Sequence, residues 1–257
     1  FWLIITFLLT FILIGLAHSL MSDLSDSSFA QLQASLDQYQ QYPHHHDDAL
    51  RQKLQEAQAW QRERMTKTHA ELFAPPKQQA FGSYLFDQLY GGEQFDQLAK
   101  QIGRITRTAG KLEKFIPVNA LATGVEGVRQ AVEAIGLDVE LAQYLLAHNL
   151  PVNDDTMLAA YRAVNKPQAR HQQIDALVAT CYQSDKYLRS FVMQKSFALA
   201  KPVAYKYQFG ALYDFIAKGF EAIRPIKSVG DLMENFAQKE HQIINNVHSG
   251  QPDPFNV

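Results

Sequence analysis

Apolar residues recur at helical spacing over most of this chain of 257 residues. Leu50, Leu54 and Ala57 belong to one such stripe, and Leu212 and Ile216 belong to another. Intervals of three and four residues bring side chains onto one face of a helix, and an apolar face of this width packs against other elements. No stretch alternates apolar and polar residues in the way that predicts a strand. The sequence therefore predicts an all-α multi-helix bundle of about eight to ten helices, preceded by a short apolar N-terminal helix.

Four regions of different composition follow one another along the chain. Residues 1–20 are apolar, residues 21–48 are polar and acidic, residues 49–249 carry the helical pattern, and residues 250–257 form a tail. Apolar residues make up 47% of the chain, which is enough to fill a sizeable core. We therefore expect one all-α domain over residues 49–249.

Prolines and capping residues predict where several helices begin and end. The helix that starts at Asp47 is expected to end near Phe73, because two prolines follow at residues 75–76. Asn153 or Asp154 is expected to cap the helix that runs to residue 164, because a side-chain oxygen there can accept a hydrogen bond from a first-turn amide.

The apolar segment at residues 1–17 has two interpretations. Its length is close to the minimum that crosses a bilayer as a helix. No Lys or Arg precedes Arg51, however, so the charges that usually orient a membrane segment are missing. The segment is either part of a membrane anchor or signal sequence, or an upstream extension of a protein that starts at Met21. The first interpretation predicts a membrane-anchored protein and the second a cytoplasmic one.

Composition argues against several classes of site. Charged residues make up only 19% of the chain and the formal net charge is −2, so the total charge predicts no nucleic-acid partner. Cys181 is the only cysteine, which excludes an internal disulfide and a thiolate-rich metal site. No phosphate-binding glycine loop and no nucleophile elbow is present. The common enzyme classes therefore lack sequence support, and no catalytic residue, metal ligand or cofactor is assigned.

One basic and aromatic stretch is a local exception. Basic and aromatic residues interleave there, a mixture that suits nucleic acid or an anionic membrane surface. They are Lys195, Lys201, Lys206 and Lys218 with Phe197, Tyr205, Tyr207 and Phe209. The aromatic residues largely follow the predicted buried stripe, however, and the lysines can simply solvate the opposite face. We therefore favour a solvated helix for this stretch.

Several stretches of the chain resemble one bacterial family. Residues 84–91 read Tyr-Leu-Phe-Asp-Gln-Leu-Tyr-Gly, and residues 60–64, 68–72, 161–164 and 219–222 are further points of likeness in the same order. These stretches resemble the FFLEELY motif proteins, an all-helical bacterial family without an assigned activity. The resemblance implies a helical fold and a bacterial origin, and it implies no reaction.

The chain departs from that family at positions where chemistry would be sought. Asp87 and Gln88 stand where the motif has two Glu, and Ile135 stands where the family often has a His. A mechanism that needs a pair of carboxylates or that imidazole is therefore not expected here.

Arg64, His69 and Glu71 form the main polar cluster, within two helical turns. They can bind an anion or move a proton, but an ion pair between Arg64 and Glu71 and a half-buried, hydrogen-bonded His69 explain the cluster more simply. Tyr90 lies beside two glycines and can contact a ligand or pack. The candidate ligand-binding residues, from this cluster and from the stretches that carry the resemblance, are Arg64, His69, Asp87, Tyr90, Tyr161 and Arg162.

Three functions remain open. The favoured one is a non-catalytic module that binds a protein partner or a small apolar ligand between helices. A haem- or metal-type cofactor protein, or an enzyme, would require His69, His148 and His171 to meet at one cavity. A structural protein held at a membrane by residues 1–17 is the third.

Overall fold

The computed structural model describes residues 22–89, 92–108 and 118–257, which form eleven α-helices and no strand. The helices are α1 (Ser22–Gln40), α2 (Asp48–Thr68), α3 (Ala70–Phe73), α4 (Pro76–Ser83), α5 (Gly92–Thr108), α6 (Val118–Ala147), α7 (Asp154–Val164), α8 (Pro167–Leu188), α9 (Phe191–Lys206), α10 (Gly210–Ile223) and α11 (Val229–Ser249). A 3-10 turn (Pro43–His45) precedes α2, and a π-helix (Tyr84–Leu89) follows α4. The predicted all-α bundle is confirmed. Residues 1–17 and Tyr90 lie outside the described residues. Among the helices that the structure describes, none is long and apolar enough to cross a membrane.

Helix α6 lies at the centre of the bundle. It has 30 residues and is therefore about 45 Å long, and it packs against α1, α2, α7 and α8. Its buried side chains include Val128, Val132 and Leu145. Gly136 leaves room for the ring of Tyr42, because a Cβ atom at this glycine would lie 2.5 Å from the Tyr42 hydroxyl oxygen. Helix α11 packs mainly against α8 and closes the bundle on the other side of this core.

The helix ends follow local hydrogen-bond rules. The Asp47 side chain accepts from the Leu50 amide at 3.0 Å and caps α2. Asn153 caps α7, as predicted, and exchanges hydrogen bonds with Thr156 in a capping box. Gly250 ends α11 with a φ of 78°, a left-handed conformation in which glycine avoids steric strain.

The predicted long helix from Asp47 to Phe73 is interrupted at His69. Helix α2 ends at Thr68, and His69 has φ −104° and ψ 14°, outside the α-helical range, before α3 begins. The apolar spacing continues through the break, so the sequence pattern gives no sign of it. The His69 side chain at this break is fully buried and bonded to a distant helix, as described below.

Two of the stretches that carry the family resemblance contact each other. Tyr84 opens the π-helix and is buried, and its ring lies against Gly219 of α10. A Cβ atom at Gly219 would lie 2.7 Å from the Tyr84 hydroxyl oxygen. The glycine is therefore required by the close approach of a buried aromatic ring.

We expect Gly219→Ala to lower the free energy of unfolding by about 1–3 kcal/mol, because the buried Tyr84 ring cannot move aside without disturbing its neighbours. Chemical denaturation measures the change. Tyr84→Phe removes the closest atom, so Gly219→Ala should cost less in a Tyr84→Phe background than in the natural chain. An equal cost in both backgrounds would contradict the steric explanation.

Candidate functional site

A buried carboxylate joins two parts of the chain that are far apart in sequence. Glu240 of α11 is 5% exposed. It accepts hydrogen bonds from the Arg64 guanidinium of α2 and from His69, whose Nε2 lies 2.7 Å from Glu240 Oε1. The His69 ring is fully buried and packs on Phe236, with ring centroids 4.2 Å apart. We call Arg64, His69 and Glu240 the first polar network.

The protonation states in this network follow from its geometry. Burial opposes ionisation of Glu240, but the Arg64 charge and the hydrogen bonds from His69 and Arg64 outweigh it and lower the pKa of Glu240 to about 2. Burial lowers the pKa of His69, although the bond to Glu240 acts in the opposite direction. A neutral His69 that donates from Nε2 leaves Nδ1 as an acceptor, and this atom has no hydrogen-bond partner among the described residues. His69 therefore acts as a neutral donor to an ionised Glu240.

A second polar network surrounds Asp138 of α6. Asp138 is 2% exposed and accepts from Gln61 Nε2 and Arg170 Nη2, both at 3.0 Å. The Tyr161 hydroxyl donates to Gln61 Oε1 at 2.6 Å, and the Arg170 guanidinium lies 5.5 Å from the centre of the Tyr161 ring. Burial raises the pKa of Tyr161 to about 12, so its phenol keeps its proton and remains a donor. The second network thus links α2, α6, α7 and α8.

An apolar cavity of about 140 Å³ lies between the helices that hold these networks. Most of its wall is apolar, and Asp138, Gln58, Gln130 and Gln173 are its polar members. The apolar wall includes Met65, Leu85, Phe86, Ile135, Ile174 and Phe236. Leu85 and Phe86 come from the π-helix, so this irregular segment forms one side of the cavity.

A smaller cavity of about 70 Å³ adjoins the apolar cavity. Most of its wall is also apolar, but we call it the polar cavity because charged side chains line it. Both are lined by Met65, Gln173 and Ile174, which form the boundary between them. Its polar wall contains members of both networks, namely Arg64, Glu240, Gln61, Tyr161 and Arg170. Two guanidinium groups therefore face one small space.

The structure brings together three of the residues predicted from the sequence. Arg64 and Tyr161 line the polar cavity, and His69 lies behind Glu240, which lines it too. Asp87 is exposed on the π-helix. Arg162 donates to the Val247 carbonyl oxygen at 2.8 Å. Neither Asp87 nor Arg162 is part of the wall of either cavity.

Two details of the predicted cluster are wrong. Arg64 pairs with Glu240, 176 residues away, and not with the exposed Glu71. His69 is fully buried where half-burial was predicted. In both cases the determining partner comes from α11, which local spacing cannot reveal.

The histidines of the cofactor hypothesis have separate surroundings. His148 is exposed and bonded to the Tyr144 carbonyl oxygen at 2.8 Å. His171 Nδ1 lies 2.6 Å from Nδ1 of His241, whose Nε2 lies 2.9 Å from Asp175. His69 contacts Glu240 and Phe236. The three imidazoles thus have different neighbours, and none belongs to the wall of the apolar or the polar cavity.

Sequence reasoning missed Asp138, Arg170 and Gln61 and gave Glu240 no role. A signal for the two carboxylates was present. Asp138 lies on the apolar stripe of Ile135 and Ala142, and Glu240 lies on the stripe of Phe236 and Ile243. A carboxylate at a core-facing position needs a buried partner, so each of them predicts a nearby cation.

Comparison with known proteins gives one family. The family model described as Domain of unknown function (DUF8198) matches residues 40–254, a span that contains α2 to α11 and both polar networks. No curated protein and no solved structure matches the chain.

We expect Glu240→Gln to lower the free energy of unfolding by about 3–5 kcal/mol, because it leaves the buried Arg64 charge without its counter-ion. Glu63→Gln is the matched control: Glu63 pairs with Lys67 on the surface, with 66% of its side chain exposed, and its loss should cost about 0–1 kcal/mol. Urea denaturation of both variants tests the difference. If both substitutions lowered the free energy of unfolding equally, the buried Glu240 pair would contribute no more to stability than a surface ion pair.

The protein should lose stability as the pH falls below 6.5. The pKa of His69 is below that ordinary value in the folded state, so the unfolded chain binds a proton first and folding becomes less favourable. The lowered pKa of Glu240 adds a second loss as the pH falls from 4.5 towards about 2. His69→Gln should flatten the first part of a plot of unfolding free energy against pH. Burial also lowers the pKa of His44, His45 and His248, so part of the slope should remain in the His69→Gln variant. His46→Gln, a change at an exposed imidazole, is the matched control, and a slope that His69→Gln does not reduce would count against the assignment.

Proposed function

The chain belongs to the family described as Domain of unknown function (DUF8198), and we propose that it is a non-catalytic binding module that holds a small, mainly apolar molecule between its helices. The observation that carries this proposal is the apolar cavity at the centre of the bundle.

The size and lining of the apolar cavity support a ligand of about one aromatic ring. Protein interiors are close-packed, and voids larger than a water molecule are few. An engineered apolar cavity of about 150 Å³ stays dry and binds benzene, and the cavity here is close to that size, at about 140 Å³. Its Phe, Leu, Ile and Met side chains favour an apolar ring or a short branched chain over a polar molecule.

The polar cavity suggests how such a ligand is oriented. Met65, Gln173 and Ile174 separate the two cavities, so a substituent on the ring can point past them towards Arg64 and Arg170. Guanidinium groups donate and never accept hydrogen bonds. We therefore propose that the substituent carries an acceptor oxygen, such as a carbonyl, a hydroxyl or a carboxylate.

A binding role fits the chemistry of these walls better than catalysis. Each buried carboxylate is held by an arginine, so the charges fix one another and the cavity walls. His69 donates to Glu240 and its lowered pKa keeps it neutral. We propose that both networks position the cavity walls and that neither transfers a proton to a ligand.

The resemblance to the FFLEELY motif proteins extends the proposal to origin and location. On that basis we propose a bacterial protein that acts in the cytoplasm, or at a membrane if residues 1–17 anchor it. The N-terminal residue of the protein isolated from its own host distinguishes these locations.

We expect Ala134→Leu to abolish binding of small aromatic probes and to raise the free energy of unfolding by about 1 kcal/mol, because Ala134 lines the apolar cavity and a larger side chain fills it. Benzene and indole are suitable probes, with binding followed by calorimetry and by the shift of the unfolding temperature. Ala179→Leu, on the exposed face of α8, adds the same atoms outside the cavity and should leave probe binding unchanged. The proposal would be refuted if the natural chain bound neither probe, or if the two substitutions changed probe binding equally.

A further inference from the structure

The exposed apolar side chains are concentrated in one segment. Of the five large hydrophobic residues that are exposed within the described part of the chain, four lie between residues 191 and 207. Phe191 is 71% exposed, Leu199 77%, Tyr205 49% and Tyr207 60%. Scattered exposed apolar residues need no explanation, but a contiguous group is typical of an interaction surface.

Among the α9 side chains that the structure describes, the buried ones face α10. Phe197 and Ala204 are buried, and the Phe197 ring stacks on Tyr213 of α10 with centroids 4.3 Å apart. At 100° per residue, Phe191 and Leu199 lie about 120° and about 160° from Phe197 around the helix axis. Tyr205 lies on the flank, about 80° from Phe197, where its hydroxyl reaches Asp214 of α10. The outer face of α9 therefore carries large apolar side chains among its lysines.

Positive charge accompanies these apolar side chains. Helix α9 carries Lys195, Lys201 and Lys206 and no acidic residue. Each lysine lies beside an exposed ring: Lys195 Nζ is 5.5 Å from the Phe191 ring centre, Lys201 Nζ 5.8 Å from that of Tyr205, and Lys206 Nζ 5.9 Å from that of Tyr207. The surface thus combines apolar and cationic groups in alternation.

The adjoining groove between α9 and α10 has the same sign of charge. It has a volume of about 360 Å³, and its wall includes Arg189, Lys201 and Arg224 but only one carboxylate, that of Glu221. Two further carboxylates lie near the surface: Asp185 pairs with Arg189 at 2.9 Å, and Asp214 accepts a hydrogen bond from the Tyr205 hydroxyl at 2.6 Å. The cations exceed the carboxylates around the outer face, so the complementary partner is anionic.

We propose that α9 docks on the surface of an anionic lipid bilayer, independently of the ligand proposed for the cavity. Phe191 and Leu199 enter the boundary between headgroups and acyl chains, as the apolar faces of interfacial helices do. The lysines remain at the level of the lipid phosphates. Tyr205 and Tyr207 lie at the depth where amphipathic rings collect in membranes.

The exposed side chains favour lipid over nucleic acid. Binding of single strands relies on aromatic rings that stack on bases. Phe197, which the sequence pattern offers for stacking, is buried, whereas the most exposed large apolar side chain is the aliphatic Leu199. A leucine has no aromatic face to offer a base, but it enters a lipid interface readily.

The test is binding of the full chain to vesicles of phosphatidylcholine with phosphatidylglycerol, compared with phosphatidylcholine alone. We expect co-sedimentation with the anionic vesicles only, weakened by added salt. Replacing Lys195, Lys201 and Lys206 by Gln should weaken it roughly a hundredfold, at about fivefold per lysine near a charged membrane. Replacing Lys77, Lys100 and Lys227 by Gln removes the same charge from other exposed positions and should change binding little.

A local probe separates α9 from the apolar residues 1–17. Cys181 is buried, so a polarity-sensitive dye can be attached selectively to Ala198→Cys, an exposed position next to Leu199 at the edge of the groove, or to Gln242→Cys on the exposed side of α11. Anionic vesicles should shift the emission of the first dye to shorter wavelength and leave the second unchanged, and Phe191→Ser with Leu199→Ser should remove the shift. The proposal would be overturned if vesicles shifted the emission of both dyes equally, or if the two sets of lysine substitutions weakened binding equally. It would also be overturned if single-stranded DNA, and not vesicles, shifted the emission of the first dye.

Discussion

The buried Glu240 carboxylate needs a positive charge and hydrogen-bond donors, and a distant part of the chain supplies them. A charge of this kind is costly in an interior unless it is paired and hydrogen-bonded. Arg64 and His69 supply the pair and the bond, although His69 and Glu240 are 171 residues apart in sequence. The position of α11 against α2 is therefore fixed by directional bonds as well as by apolar contact. The same bonds hold the His69 ring at the point where α2 ends and α3 begins.

In the second polar network, the buried Asp138 carboxylate is likewise paired with an arginine and hydrogen-bonded. Asp138 accepts from Arg170 of α8 and Gln61 of α2, so three helices meet at one carboxylate. Polar groups held in this way cannot move inward to fill a void without losing their partners. We infer that the two networks keep the apolar and the polar cavity open, where a purely apolar interior would close over them.

The part of this structure that depends on local rules could be predicted from the sequence, and the part that depends on distant partners could not. Asn153 caps α7 because its side chain reaches an amide in the next turn, which a sequence pattern shows directly. The pairing of Arg64 and His69 with Glu240 depends on α11, and no local spacing encodes it. Asp138 and Glu240 could still have been recognised as unusual, because each is a carboxylate on an apolar stripe. Their partners required the fold.

Positive and negative charges are balanced in the interior of the bundle but not on α9. Inside the bundle each carboxylate is matched with a cation across helices, and the matched charges hold the walls of the cavities. On α9 three lysines lie beside exposed rings on a helix without acidic residues. A balanced interior is what a fixed binding site requires, since a single unmatched charge there would cost stability. An unbalanced surface costs little in water, where the lysines are solvated, and it retains its attraction for an anionic partner. The two arrangements are therefore compatible with the two binding events that we propose, one with an apolar molecule and one with an anionic surface.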